Sequence, residues 1–69
     1  MSSVIEQPST KRAYSVKSFC DAHDTSRTEL YKLWRAGKGP RYFLIGTHRR
    51  VTEEAAADWR RQMEAEAAR

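Results

Sequence analysis

The residue types that build metal sites, disulfides and membrane spans are scarce in this sequence. Its 69 residues include one cysteine, two histidines, two prolines and three glycines. Cys20 cannot form a disulfide within the chain, and a single cysteine with His23 and the distant His48 does not make a recognisable set of metal ligands. No apolar run approaches the roughly 18 residues of a membrane span. We therefore expect an intracellular module with no metal, no cofactor and no membrane partner.

Catalytic signals are equally scarce. A domain of this size buries only about 60% of the surface of its unfolded chain, which leaves little room to enclose a substrate. The glycines form no phosphate-binding loop. Cys20 and His23 have the types of a nucleophile and a base, but Cys20 shares the inward side of a predicted helix with Phe19, which favours a buried structural thiol. We expect no catalytic residues and no enzymatic activity.

Positive charge is concentrated in the middle of the chain. The formal net charge is +4, yet residues 27–50 alone hold seven basic residues against one acidic residue. Residues 51–69 are acidic overall. A basic region of this kind is expected in a domain that meets a polyphosphate. The alternative is charge that serves solubility and happens to cluster.

Local signals divide the chain into an arm, a domain and a helix end. We predict a flexible arm over residues 1–13, a folded domain over 14–63, and a C-terminal helix end over 64–69 that frays or projects. Ser15 is suited to cap a short helix from Val16 to about Ala22. Ser26 and Glu29 form a capping box for a second helix, 26–36, and Gly37 suits the left-handed residue that ends it. Two short helices at this separation are typical of a helix-turn-helix.

A hairpin and a third helix follow. Residues 42–45 are apolar and β-prone, Gly46-Thr47 supplies a turn, and residues 49–51 return as the partner strand. Thr52 is suited to cap the last helix, in which Ala56 lies on one stripe with two larger residues. The predicted core consists of Val16, Phe19, Cys20, Leu30, Leu33, Trp34, Ile45, Val51, Trp59 and Met63.

The second helix has two different faces. At about 100° per residue, Leu30, Leu33 and Trp34 face the core, and the opposite arc of about 140° carries cations, a hydroxyl and a phenol without an acid. The outward residues are Arg27, Thr28, Tyr31, Lys32 and Arg35. Such groups suit a DNA major groove, where Arg forks onto guanine and Lys or Tyr holds phosphates. A merely solvated basic face is the alternative.

The hairpin tip is narrow and cationic, with Thr47, His48, Arg49 and Arg50 after the glycine. Arginine in a narrow minor groove meets enhanced negative potential, so a tip of this composition can grip DNA beside the helix. An ordinary charged turn is the alternative. We also regard Lys38 and Arg41, which flank this region, as candidate phosphate contacts.

The stretch from Tyr14 to about Arg60 resembles the excisionase/AlpA-type winged helix-turn-helix family, which is related to the MerR DNA-binding domain. The resemblance is carried by SRTELYKLWRAGKGPRY across the second helix and its exit, by the I-G-x-x-x-R-V hairpin over 45–51, and by Trp59. It implies a mainly α fold with a small β-hairpin as the wing. The chain departs from the family pattern at Ala56 and Arg60, so we expect Trp59 and Met63 to be the main anchors of the third helix.

The resemblance also implies roles. Ser26, Arg27, Thr28, Tyr31 and Lys32 match recognition-helix positions, and His48, Arg49 and Arg50 fall in the wing. Members of the family are recombination directionality factors of prophages and other mobile elements, which bend DNA and steer an integrase toward excision, or small transcription regulators. The implied partners are double-stranded DNA, an integrase or a polymerase subunit, and further copies bound side by side or cooperatively. The implied location is the bacterial cytoplasm, on the nucleoid.

A second class of function rests on the acidic end of the chain. Here the third helix would act as a protein-interaction adaptor. The acids that it would present are Glu53, Glu54, Asp58, Glu64 and Glu66. RNA binding is a third possibility, although the isolated aromatics do not form the stacking platform that single strands favour.

Overall fold

A computed structural model describes residues 12–68. The described residues form three strands and three helices in the order β1-α1-α2-β2-β3-α3: β1 is Ala13–Ser15, α1 is Val16–Ala22, α2 is Arg27–Arg35, β2 is Phe43–Ile45, β3 is His48–Thr52 and α3 is Glu53–Ala67. The strands form one antiparallel sheet in the order β1-β3-β2. The predicted helices and hairpin are confirmed. The domain is nevertheless a mixed α/β one, rather than mainly α with a small hairpin, because β1 adds a strand that the sequence did not predict.

The first strand joins the two ends of the domain. Tyr14 lies opposite Val51 in the register of β1 and β3, and the backbone N–H of Glu53 donates to the carbonyl of Arg12 at 2.8 Å. Ala13 therefore belongs to the sheet, although we predicted it as part of the flexible arm. The rest of that prediction, residues 1–11, lies outside the described residues.

Local capping sets the bounds of the first helix. Ser15 Oγ accepts from the backbone N–H of Ser18 at 3.0 Å, and Ser18 Oγ accepts from the backbone N–H of Ser15 at 2.9 Å. This reciprocal pair is a complete capping box. The turn that follows α1 contains Asp24 with φ +54°, a left-handed conformation that aspartate tolerates better than most residues.

The second helix is capped at both ends. Ser26 Oγ accepts from the backbone N–H of Glu29 at 3.1 Å, but the Glu29 carboxylate lies 3.9 Å from Lys32 Nζ, so only half of the predicted capping box forms. Gly37 adopts φ +74°, as predicted. The backbone N–H groups of Gly37 and Lys38 donate to carbonyls of the last helical turn at 3.1 and 2.8 Å, which is the Schellman arrangement.

The core lies between the sheet and the three helices. Its fully buried centre consists of Phe19, Leu30 and Val51, and Cys20, Ala55 and Ala56 complete it. Val16, Trp34 and Trp59 are partly buried and pack against this centre, together with Tyr14. The small Ala55 and Ala56 let α3 approach the sheet closely, a role that we had not predicted for Ala55.

Three predicted core residues lie elsewhere. Ile45 is 57% exposed because it pairs with His48 in the register of β2 and β3, which places its side chain on the face of the sheet opposite the buried Val51. Leu33 is half-buried and outside the core cluster, since α2 buries the side that carries Leu30. Met63 is also half-buried and outside the cluster, because only the first turns of α3 reach the sheet. Trp59 and the two alanines, rather than Met63, anchor α3.

Polar contacts fasten α3 to the start of the domain. The Glu53 carboxylate accepts from Arg60 Nη2 and from the Tyr14 hydroxyl, each at 2.9 Å. These two hydrogen bonds, that of Arg60 first, lower the pKa of Glu53 below its usual value. Arg60 Nη1 also lies 2.9 Å from His23 Nε2. Arg60 thus links α3 to the turn after α1.

Within residues 12–68, no helix combines the length and apolar character needed to cross a membrane.

Candidate functional site

A groove runs between α2 and the hairpin formed by β2 and β3. It has a volume of about 190 Å³, and residues 15–17 at the start of α1 close one side. Arg27 and Tyr31 line it from α2. Thr47, His48, Arg49 and Arg50 line it from the hairpin. The structure therefore brings Arg27 and Tyr31, two residues of the predicted outer face of α2, together with the predicted hairpin tip. We call this site the α2–hairpin groove.

A second depression continues this surface along α2. It has a volume of about 250 Å³ and is lined by Tyr31, Trp34, Arg35, Tyr42 and Arg49. Tyr31 and Arg49 line both depressions. The two together form one surface that follows α2 from its first residue to its last.

Among the described residues, no acidic side chain neutralises the charge of this surface. No carboxylate of residues 12–68 lines either depression. In the part of the chain that the structure describes, none of the ion pairs includes Arg27, Arg35, Arg49 or Arg50. The pairs found there are Lys17–Asp21, Lys32–Glu29, Arg41–Asp58, Arg60–Glu53 and Arg61–Asp58. Four arginines along α2 and the hairpin are thus available to an external anion.

Arg49 occupies a distinctive position. Its guanidinium carbon lies 4.8 Å from the ring centre of Tyr31, 4.7 Å from that of Trp34 and 4.7 Å from that of Tyr42. Cation–π attraction is effective at these distances. Because side chains alternate along a strand, Arg49 shares its face of β3 with the buried Val51, which directs it toward α2. Arg49 joins the hairpin to α2.

The wall behind Arg49 is fixed by a close backbone approach. Trp34 Nε1 donates to the carbonyl of Pro40 at 2.7 Å. A Cβ added at Gly39 would overlap the Trp34 indole, so only glycine allows the chain to pass this close. The Tyr31 and Tyr42 rings pack against the same indole, with centres 5.1 and 5.0 Å away. The three rings form one cluster.

Several predicted site residues do not line the groove. Thr28 and Lys32 are exposed on α2, and the Ser26 hydroxyl oxygen is engaged in capping. Arg41 Nη2 donates to Asp58 at 3.1 Å, which places its charge beside α3. Lys38 is exposed, and its carbonyl accepts from Trp59 Nε1 at 2.9 Å.

Two residues of this surface were not predicted from the sequence as site residues. Lys17 lines the groove from α1, and Tyr42 completes the ring cluster. The position of Arg49, two residues before the apolar Val51 on a strand, is the signal that could have shown that it faces α2 rather than open solvent.

Cys20 is buried in the core, and His23 packs against the core residue Phe19. Burial raises the pKa of the Cys20 thiol, which favours the protonated form over the nucleophilic thiolate. His23 stacks on Phe19 with ring centres 4.0 Å apart, and its Nδ1 lies 2.8 Å from the Phe19 carbonyl. In residues 12–68, the His, Cys, Asp and Glu side chains form no group of three that could hold a metal ion.

Comparison of the chain with protein-family models, with curated proteins and with solved structures finds no match.

Proposed function

We propose that this chain binds double-stranded DNA in a sequence-specific manner, as a winged helix-turn-helix with α2 in the major groove and the hairpin in the adjacent minor groove. The observation that carries the proposal is the set of arginines along the α2–hairpin groove that have no carboxylate partner within residues 12–68. A major groove is wide enough to admit one helix, and a hairpin beside that helix then meets the flanking backbone. Cations between the two elements would face the intervening phosphates.

The residues divide into two roles in this arrangement. Arg27 is the first residue of α2, and the N-terminal residues of a recognition helix are those that reach base edges. Thr28 and Lys32 are exposed on the same helix, beyond the groove lining, and would face the floor of the major groove. Arg49 and Arg50 would hold phosphates and position the helix without reading sequence.

The biological role that we propose follows from the motifs shared with the excisionase/AlpA-type family. A small DNA-binding domain with few reading residues gains specificity when several copies occupy adjacent sites or when a second protein binds beside it. We propose a recombination directionality factor that marks or bends DNA for an integrase. A small transcription regulator is the alternative role of the same surface.

The adaptor function is less well supported. Two of the five acids that it requires, Glu53 and Asp58, are engaged by arginines of the same chain. Only Glu54, Glu64 and Glu66 remain exposed without such a pair in the described part of the chain. DNA binding is therefore the function that we put forward.

The test begins with selection of preferred duplexes from a random pool by the wild-type protein. Arg27→Ala is then expected to lose about 1–3 kcal/mol at the selected site and to relax the preference for one base, because a forked contact to that base is removed. Fluorescence anisotropy with competitor duplex measures both effects. A wild-type protein that enriches no sequence contradicts specific binding, and unchanged affinity and preference in the variant remove Arg27 from the reading face.

A further inference from the structure

Three aromatic rings surround the Arg49 guanidinium and offer it no oxygen acceptor. The centres of the three rings lie within 4.8 Å of the guanidinium carbon. The rings attract the charge through cation–π contacts but provide no conventional hydrogen-bond acceptor. A guanidinium has five N–H donors, all in its plane. Within residues 12–68, no hydrogen bond or ion pair of this guanidinium to a protein acceptor is found. The group is held by the rings and remains able to donate.

This combination favours an anion with several acceptor oxygens. Arg49 is half-buried, and a donor withdrawn from water without an acceptor costs free energy. A planar guanidinium fixed in one orientation binds phosphate through two parallel hydrogen bonds and gives up little side-chain entropy in doing so. The second cation that lines the same depression is Arg35, which is exposed and has no carboxylate partner in the described residues.

We infer that Arg49, oriented by Tyr31, Trp34 and Tyr42, is the receptor for one phosphate of the DNA backbone, with Arg35 as the second cation of the site. The inference rests on the proposed function and deepens it, since it assigns the phosphate contact of Arg49 to one backbone position between α2 and the hairpin. Because the same guanidinium joins the two elements, the bound phosphate would set the position of both relative to the duplex.

The experiment couples a change in the protein to a change at a single phosphate. Duplexes carrying one neutral methylphosphonate at successive backbone positions are titrated with wild-type protein, with Arg49→Lys and with Tyr42→Leu. Arg49→Lys keeps the charge but lacks the planar fork, and Tyr42→Leu keeps Arg49 but removes one ring. Tyr42 is 44% exposed, so its replacement leaves the core intact. Thermal melts check that each variant is folded.

We expect one backbone position at which the methylphosphonate weakens wild-type binding about tenfold, as removal of a charge-assisted hydrogen bond should. At that position the methylphosphonate should lower the affinity of Arg49→Lys and of Tyr42→Leu by at most about twofold, because these variants have already lost the contact. Comparing the four combinations of protein and duplex in a double-mutant cycle isolates this coupling. Arg50→Lys is the matched control: it also exchanges an arginine of β3, and it should retain the tenfold effect at the same position.

The outcomes separate the inference from the proposed function. If the wild-type protein binds duplex DNA but no phosphate couples to Arg49, the phosphate receptor is wrong and DNA binding stands. If Arg49→Lys binds the unmodified duplex as tightly as the wild type, the receptor is wrong as well. If the wild-type protein binds no duplex at any salt concentration, both proposals fail together.

Discussion

Replacement of both Arg27 and Arg50 with glutamine is expected to lower the affinity for the selected duplex by at least about 100-fold, since each change removes a charge-assisted contact of about 1.5–3 kcal/mol. Both arginines line the α2–hairpin groove and have no carboxylate partner in residues 12–68. The slope of log K against log salt concentration should also become shallower, by about 0.9 for each phosphate contact removed. Fluorescence anisotropy at salt concentrations between about 50 and 200 mM measures both quantities. Over this range the affinity of a protein with about six to ten phosphate contacts falls by several orders of magnitude, so a change in slope is easy to detect.

The matched control removes the same charge from the other side of the domain. Arg41 and Arg61 both pair with Asp58, which places them beside α3 and away from the groove. Their double replacement with glutamine leaves the net charge equal to that of the groove variant, and exposed pairs of this kind contribute little to stability. We expect its affinity to stay within about threefold of the wild type. Equal losses in the two double variants would show that net charge, rather than the groove, drives binding.

Phe19→Ala is expected to destabilise the domain by about 3–5 kcal/mol, which is comparable to the entire stability of many small domains. Phe19 is fully buried at the centre of an aromatic group. Its ring stacks on His23 and meets the edges or faces of Tyr14 and Trp59 at centre distances of 5.9 and 5.4 Å. Truncation would leave a cavity that these rings cannot close. Urea denaturation followed by circular dichroism gives the free energy of unfolding.

Phe43→Ala provides the same chemical change at an exposed position. Phe43 lies on the edge strand β2 and is 41% exposed. We expect its free energy of unfolding to change by less than about 1 kcal/mol, because less apolar surface is lost and no closed cavity forms. Comparable losses in the two variants would contradict the placement of the core around Phe19.

The elements that the sequence predicted are those with local determinants. Ser15 and Ser26 cap helices through residues three positions away, and Gly37 ends α2 through carbonyls of the preceding turn. Each signal lies within a few residues of the structure that it sets. The strand β1 has no such signal, since its three residues are stabilised by pairing with Val51 and its neighbours, nearly forty positions along the chain.

Apolar character alone did not decide which residues are buried. Leu30 and Val51 are buried as predicted, because both face the junction of sheet and helices. Ile45 has the same chemistry, but it pairs with His48 and therefore lies on the face of the sheet opposite Val51. Met63 lies past the point where α3 contacts the sheet. Strand register decides the first case and the length of the packed part of α3 decides the second, and neither is encoded near the residue concerned.

The composition of the candidate site followed from the sequence, but its arrangement did not. Helical periodicity and charge identified Arg27, Tyr31 and Arg35, and the turn signal at Gly46 identified the hairpin tip. The insertion of Arg49 among three rings depends on the register of β3, and on the path of the chain past Gly39 that brings Tyr42 to Trp34. Both are tertiary features that periodicity within one element cannot supply.

Amide chemical shifts of the ¹⁵N-labelled protein during titration with the selected duplex test most directly whether α2 and the hairpin bind DNA. We predict that the changes concentrate in Arg27–Arg35 of α2 and in residues 46–50 of the hairpin, while residues 61–67 of α3 keep their shifts. Changes confined to α3 and the neighbourhood of Arg41, or an unchanged spectrum at stoichiometric duplex and low salt, would contradict the account.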